Sequence, residues 1–499
     1  MIPMTLSRIA EIVGGTLHDV DDPSAMVTGT VEFDSRRVGP GGLFLALPGA
    51  RVDGHEHAEA AVAAGAVAVL AARPVGVPAI VVSPAQTTGP SSVMALEHDA
   101  DGSGAAVLNA LGLLARAVVD TLSAQSGLTV VGITGSAGKT STKDLVAAVL
   151  RGSGEVVAPP GSFNNELGHP WTALRADEQT KFLVLEMSAR GLGHIAELAR
   201  IAPPKIGVVL NVGTAHLGEF GSREAIAATK GELVEALPSA ADGGVAILNA
   251  DDRMVAAMAS RTAARVVLVG QSEGAHVRAT DVTVDDQARA SFTLNSEKGS
   301  ARIRLAVHGE HQVGNALAAA AVALENGVEV AEIARILEDT KAASARRMDV
   351  SDRSDGVTVI NDSYNANPDS MRAALKALVS MARSDRHFGR RSWAVLGEMA
   401  ELGPESVVEH DAIGRLAVRL DVTKLIVVGT GRPARAMHQG AVMEGSWGDE
   451  SMVVPDAAAA LKVLEAELEP GDLVLVKASQ SIGLWTVAEA VLAQKQVSE

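Results

Sequence analysis

Residues 134–142 read Thr-Gly-Ser-Ala-Gly-Lys-Thr-Ser-Thr and follow directly on the apolar run Leu128-Thr129-Val130-Val131-Gly132-Ile133. A strand that turns through Gly-Lys-Thr into a helix is the layout of a phosphate cradle. Glycines let backbone N–H groups crowd around phosphate oxygens, and the helix N-terminus adds a favourable dipole. In that layout Gly135, Ser136, Ala137, Gly138 and Ser141 form the cradle around a nucleotide. Lys139 places a positive charge on the outer phosphates, and the Thr140 hydroxyl reaches a magnesium ion. The loop is shorter than a strict Walker A pattern, because Ile133 stands five positions before Gly138 and the glycine sits at 135. A glycine-rich helix start with an exposed lysine is the plainer alternative. Strand, turn and helix in the required order favour ATP or a relative.

Two further residues stand where strands would end. Glu186 closes Phe182-Leu183-Val184-Leu185-Glu186, and in an open α/β sheet the carboxyl ends of strands line the ligand crevice. A carboxylate there can hold magnesium together with phosphates, or can simply be a solvated strand end. His216 follows Val208-Val209-Leu210 by a short loop and can face the same crevice as a metal ligand. A lone loop histidine is more often ordinary; its grouping with Glu186 and Thr140 favours the metal. Lys230 reads from its own surroundings as a helical surface lysine. Asp34-Ser35-Arg36-Arg37 and Asn361-Asp362-Ser363-Tyr364-Asn365-Ala366-Asn367-Pro368 are dense in hydrogen-bonding side chains. They suit recognition of a polar ligand, and equally suit turns.

A chain of 499 residues exceeds one hydrophobic core, and domains of roughly 100–200 residues suggest three. Hydrophobic content of 47% with 2% aromatics predicts a core of Val, Leu, Ile and Ala, suited to stacked strands and helices. The formal net charge of −17 argues against general affinity for nucleic acid or anionic membrane, though not against an anionic small substrate. Absence of cysteine excludes disulfides, thiol nucleophiles and zinc–thiolate sites. With no secretory pattern at the N-terminus and no uninterrupted apolar run of about 18 residues, a cytoplasmic protein without a membrane span is expected.

The expected fold is α/β in three units. Residues 1–104 form a small α/β domain ending in a polar linker from Pro84 to Gly104. Residues 105–345 form a P-loop domain on a parallel sheet. Its buried strands fall at 182–185, 206–210 and 245–248, with antiparallel strands appended over 276–307 and helices over 312–325 and 331–338. Residues 346–499 alternate strands at 357–360, 393–396, 425–428 and 473–476 with helices, a doubly wound sheet of Rossmann type.

Taken together, these segments resemble the Mur ligase family, which builds the peptide stem of bacterial cell-wall precursors. The resemblance rests on Asp34-Ser35-Arg36, the 134–141 loop, Asn164-Asn165-Glu166-Leu167-Gly168, the Asn211–Leu217 stretch, Leu248-Asn249-Ala250-Asp251-Asp252, His311 to Asn315, Tyr364 to Met371, and Leu396 to Gly403. It implies that ATP phosphorylates the terminal carboxylate of UDP-N-acetylmuramoyl-tripeptide, and that the amine of D-alanyl-D-alanine attacks the acyl phosphate. The three units would hold the UDP end, ATP and the dipeptide in turn, with Mg2+ as cofactor. A monomer is expected, and because three units must bring carboxylate, phosphate and amine together, so is closure of the third domain on substrate binding. By matching position, Thr140 and Glu186 bind a first magnesium and His216 a second. Lys230 corresponds to a lysine that the family carries as a carbamate, which requires its neutral amine. Asn249 and Asn315 fall where the family contacts adenine, and Arg347 and Asp362 where it contacts phosphate and ribose. Ser35 and Arg36 fall near the UDP group, Asn165 with the substrate, and Tyr364, Asn365 and Asn367 near the dipeptide.

Two positions depart from the family pattern. The late Lys-Gly-Ser-Arg stretch is Lys477-Ala478-Ser479-Gln480, so no phosphate or substrate contact is carried over there; the frequent Gly-Arg ahead of the third domain is Arg346-Arg347, where a different backbone is expected while Arg347 keeps its charge. The preceding ligase of the pathway carries an Asp-Asn-Pro-Arg-like tetrapeptide, absent here. Folylpolyglutamate synthase lacks the Tyr-Asn-Ala-Asn-Pro segment, and a GTPase would carry Asn-Lys-x-Asp. A non-catalytic regulator fits poorly with retention of Lys139, Thr140, Glu186, His216 and Lys230 together.

Overall fold

Apolar, β-branched runs dictate the centre of the molecule. Thr129–Thr134, Thr180–Glu186 and Ile206–Val209 are almost wholly buried, as parallel strands between two helix layers must be. The computed structural model describes residues 1–49, 52–84, 96, 99, 101–214, 217–383, 389–445 and 450–493. Its largest sheet has nine strands in the order Glu155–Val157, Thr180–Glu186, Thr129–Thr134, Ile206–Val209, Val245–Asn249, Arg265–Gly270, Val277–Val284, Arg289–Ser296 and Gly299–His308. The first seven run parallel, and Arg289–Ser296 runs antiparallel to both of its neighbours. Of the expected antiparallel segment, Val277–Val284 is thus the joint, parallel to one neighbour and antiparallel to the other. Strand order reverses at Thr129–Thr134, and a crevice opens at the carboxyl ends of strands where such a reversal occurs. The 134–142 loop starts there.

Helices Lys139–Leu150 and Gln312–Glu325 cover one face, packing on Val131, Ile133, Val184, Val208 and Ile247. Helix Ser103–Gln125 lies on the other face. It has the length and apolar composition of a membrane span, yet Leu111, Leu114 and Val118 sit in a shared core. There they meet Val130, Leu183 and Leu185 of the large sheet and Leu43, Leu45 and Leu70 of the N-terminal sheet. That smaller sheet runs Thr16–His18, Ala79–Val81, Ala66–Ala71, Gly42–Leu45, Val31–Glu32. The expected linker from Pro84 to Gly104 falls largely outside the described residues.

The third sheet runs Asp349–Asp352, Thr358–Asn361, Leu473–Lys477, Ser392–Leu396, Lys424–Val428, Ser451–Val454, parallel except for the first strand. Helices Pro368–Ala382 and Ser406–Arg419 bury one face and Ala457–Glu467 and Trp485–Ala493 the other. Helix Arg432–Met443 and strand Ser451–Val454 were not expected from the sequence. The helix buries only Ala434, Met437, Gly440 and Ala441, and glycine weakens a helical reading. Yet Gly440 and Gly414 are what let this helix lie against Ser406–Arg419: a Cβ at either would collide with backbone of the other helix.

Lys477, buried at the end of its strand, donates to Asp362 Oδ2 at 2.6 Å and to the carbonyl of Asn365 at 2.9 Å. It pins the loop that follows the neighbouring strand. Replacing Lys477 by Met strands the Asp362 carboxylate, and breaking a buried pair in this way costs about 3–5 kcal/mol. Urea unfolding should show that loss; an unchanged midpoint would remove the pair from the account of the third domain.

Candidate active site

The phosphate loop is built as its composition demands. Gly138 caps helix Lys139–Leu150 at φ 85° without any side-chain cap, so the first-turn N–H groups face the cleft and await an anion. A Cβ on Gly138 would come within 2.6 Å of Asn315 Oδ1. Lys139 curls back, donating to the carbonyl of Gly135 at 2.7 Å. Asn211, a residue the sequence reading left without a role, clamps the loop from the end of the adjacent strand. It accepts from Ala137 N at 2.9 Å and donates to the Ala137 carbonyl at 3.1 Å. Its signal was its place just past a buried strand beside the phosphate loop.

Glu186 is fully buried at the end of its strand. Its Oε2 accepts from Thr140 Oγ1 at 3.2 Å and from Ser162 Oγ at 3.4 Å, while its buried Oε1 has no partner among the described residues. Burial pushes the Glu186 carboxyl above its ordinary range, against the pull of Lys143, Lys139 and Arg347. A desolvated carboxylate with an unused oxygen, beside a threonine hydroxyl, fits a hard divalent cation. Among the described residues no three His, Asp or Glu side chains converge on one point. Glu186 and Thr140 would therefore hold Mg2+ with phosphate and water oxygens completing its shell, the usual manner of Mg2+.

Lys230 corrects its residue-level reading. It is only 6% exposed on helix Arg223–Glu235, with no hydrogen bond or ion pair among the described residues. Burial, reinforced by Lys139, lowers its pKa to about 7. Lys139 is lowered to about 8, chiefly by its own burial. A neutral amine is thus accessible at Lys230. His216 lies outside the described residues.

Of the remaining expected residues, Ser136 to Ser141, Asn165, Asn315, Arg347, Asp362, Tyr364, Asn365 and Asn367 line one cleft of about 1080 Å³. Asn165 also starts helix Gly168–Ala173, accepting from Gly168 N at 2.9 Å. Asn249 does not line the cleft; its amide donates to the Leu210 carbonyl at 2.8 Å and its Oδ1 accepts from Asp251 N at 3.0 Å, a turn-forming role. Ser35 and Arg36 also lie off the cleft lining. The Arg36 guanidinium is 86% exposed and held by Asp34 at 2.8 and 2.9 Å. Neighbouring Phe33 stacks edge-on with Trp171 at 5.7 Å, on the helix that Asn165 begins.

The third domain reaches the phosphate loop directly. Arg347 donates to Thr140 Oγ1 at 3.2 Å and stacks on Tyr364 at 4.1 Å. Asn367 donates to the Ser136 carbonyl at 3.3 Å, and Asp369 Oδ2 accepts from Thr214 N at 3.2 Å. A Cβ at Gly213 would collide with that Asp369 oxygen. Arg346 takes the left-handed conformation a glycine would supply, with φ 62°. Stacking on Trp485 at 4.1 Å and an ion pair with Glu489 at 3.3 Å hold Arg346 in that conformation.

A phosphate loop, a buried strand-end carboxylate and a third domain seated against the loop define a three-domain, P-loop α/β protein. Three family models match in order: "Mur ligase family, catalytic domain" over residues 29–116, "Mur ligase middle domain" over 133–323 and "Mur ligase, glutamate ligase domain" over 346–480. The UDP-N-acetylmuramoyl-tripeptide–D-alanyl-D-alanine ligase of Mycobacterium leprae is 61% identical over 514 residues, covering 99% of each chain. That of Escherichia coli K12 is 32% identical, covering 98% of this chain and 99% of its own. A MurF crystal structure from Acinetobacter baumannii superposes with a TM-score of 0.81 at 28% identity, covering 99% of both chains. MurF from Thermotoga maritima in complex with ADP gives 0.73 at 28% identity, covering 93% of this chain and 97% of its own. The chain belongs to the Mur ligase family.

Two variants test the electrostatics. Glu186 has a raised folded pKa, so its ionised form subtracts stability as pH rises above the unfolded carboxylate range. Glu186→Gln should raise the metal-free Tm at neutral pH and abolish Mg2+-dependent turnover. A lowered Tm with retained turnover contradicts this placement. Lys230 has a depressed pKa, so its cost is full below about pH 7 and fades toward the unfolded lysine value. Lys230→Met should therefore be stabilising at pH 7, with an advantage that shrinks by pH 10 in paired melts. Its ATP turnover should be lost and not restored by bicarbonate; near-normal activity removes the carbamate role.

Proposed function

We propose that this chain joins D-alanyl-D-alanine to UDP-N-acetylmuramoyl-tripeptide with hydrolysis of ATP to ADP and phosphate. The observation that carries the reading is the direct seating of the third domain on the phosphate loop through Asn367 and Arg347, and on the adjacent Thr214 through Asp369. That arrangement brings an acceptor held by one domain to a phosphate held by another. End-to-end likeness to the Mycobacterium leprae ligase at 61% identity supports the specific substrates.

The first step is attack of the tripeptide's terminal carboxylate on the γ-phosphorus, with ADP leaving. Phosphoryl transfer needs positioning and charge neutralisation more than a protein nucleophile. The unclaimed N–H groups of the loop cradle the phosphates, and Lys139 swings from the Gly135 carbonyl onto them. Arg347 adds a second fixed charge from the third domain. Bound Mg2+, held by Thr140 and Glu186, would neutralise the charge that builds on the transferring phosphoryl group. Lys230, as a carbamate, would supply an anion toward a second Mg2+ shared with His216. In the second step the dipeptide amine, in its neutral form, attacks the acyl carbon, the C–O bond to phosphate breaks, the departing phosphate takes up the amine proton, and the amide forms. The UDP end would rest near Ser35, Arg36 and Asn165, at the junction of the first two sheets. These roles fit an enzyme of the cytoplasm, acting on soluble precursors.

Phosphate release with mass detection tests the assignment. UDP-N-acetylmuramoyl-tripeptide with D-alanyl-D-alanine should give the pentapeptide, and UDP-N-acetylmuramoyl-dipeptide with lysine or diaminopimelate should give nothing. Product from the second pair alone moves the protein one step back in the pathway.

A further inference from the structure

The acceptor end of the cleft needs charged groups that the expected residues do not supply. Asn367 is consumed as a helix cap, accepting from Ser370 N at 2.9 Å while donating to Ser136. Asn365 accepts from Ala366 N at 2.8 Å within its own turn. Beyond them the wall is helix Pro368–Ala382, which brings Asp369, Arg372, Ala373 and Ala374 to the cleft.

Asp369 and Arg372 stand one turn apart and pair at 3.3 Å; Arg372 is held from its far side by Glu409 at 2.8 Å. The two side chains are 42% and 38% exposed, so a solute in the cleft can reach both. Asp369 is the member nearer the phosphate loop, since its Oδ2 touches Thr214 N and packs on Gly213, whose own N–H donates to Ser136 Oγ at 2.9 Å. Arg372 points away from the loop toward Glu409.

We propose that Asp369 and Arg372 are a zwitterion-binding pair for the acceptor dipeptide, the ammonium resting on Asp369 and the carboxylate on Arg372. The inference rests on the ligase reading above. Two residues in extended form span at most about 7 Å, and side chains three apart on a helix have Cβ atoms roughly 5–6 Å apart, so the charges of a dipeptide match the pair. A zwitterion that opens this internal ion pair gives each group a new partner and leaves the charge of the cleft unchanged. Glu409 keeps the guanidinium aimed while Asp369 is engaged by the ligand, and guanidinium–carboxylate pairing is directional. Ala373 leaves room for a methyl side chain. The amine end then lies beside the phosphate loop, where the new bond forms.

The test compares D-alanyl-D-alanine with its C-terminal amide on the full-length enzyme. Wild type should favour the free acid by about 30-fold or more in kcat/KM, the factor of a lost charge-assisted hydrogen bond. Arg372→Gln should bring that ratio close to one, and Arg372→Lys should restore part of it. Asp369→Asn should raise KM for both dipeptides tenfold or more while KM for ATP moves less than twofold. Equal use of acid and amide by wild type, an intact preference in Arg372→Gln, or parallel rises of both KM values in Asp369→Asn would overturn the pair. Hydroxamate formation from the tripeptide, ATP and hydroxylamine, without acceptor, is the control. A wild type that forms no hydroxamate contradicts the ligase reading itself, whereas hydroxamate with no acid preference contradicts only the pair.

Discussion

A carboxylate buried without enough partners is the constraint around which this molecule is arranged. Glu186 closes a strand whose preceding four residues, Phe182 to Leu185, are apolar and buried, so it is carried into a region where its charge is poorly solvated. Lys143, Lys139 and Arg347 counter that burial, and one Glu186 oxygen is left for a cation. Two of these three charges come from the phosphate-loop helix and its start, and the third from beyond the linker to the third sheet. Charge balance at the site is therefore complete only with the third domain in place.

Lys143 also shows how the arrangement is held. It is buried, donates to the carbonyls of Pro159 and Gly161 at 2.7 and 3.1 Å, and pairs with Asp144 at 2.7 Å. Asp144 in turn accepts from Ser344 N at 3.1 Å, in the segment leading to the third domain. The same helix thus presents N–H groups to phosphate, orders the loop that brings Ser162 to Glu186, and grips the interdomain linker. The third domain adds its own clasp through Asn367, Asp369 and Arg347. These bonds tie the third domain to the loops at the carboxyl ends of the central strands.

Much of this was legible in the sequence because it obeys local rules. The phosphate loop, the apolar strands and the helix Gln312–Glu325 follow from glycine placement, β-branched runs and an alanine-rich stripe. Glu186 could be placed because strand ends in α/β sheets face the crevice. Lys230 could not, since its burial comes from packing of a helix whose own pattern looks polar. Asn249 matched a motif yet turned its amide to the Leu210 carbonyl. Arg346 holds a left-handed backbone that glycine adopts more easily, and the Trp485 ring it stacks on lies far away in the chain, beyond any local reading. Asp369 and Arg372 read as an ordinary helix-surface pair until the helix was seen to line the cleft.

The central claim is that the cleft activates a carboxylate by phosphorylating it, and an oxygen label follows that event directly. UDP-N-acetylmuramoyl-tripeptide carrying 18O in both terminal carboxylate oxygens would be turned over with unlabelled ATP and D-alanyl-D-alanine. Passage through an acyl phosphate leaves one labelled oxygen in each phosphate released and one in the new amide. Unlabelled phosphate alongside product would contradict the account, because the carboxylate oxygen would never have met the phosphorus.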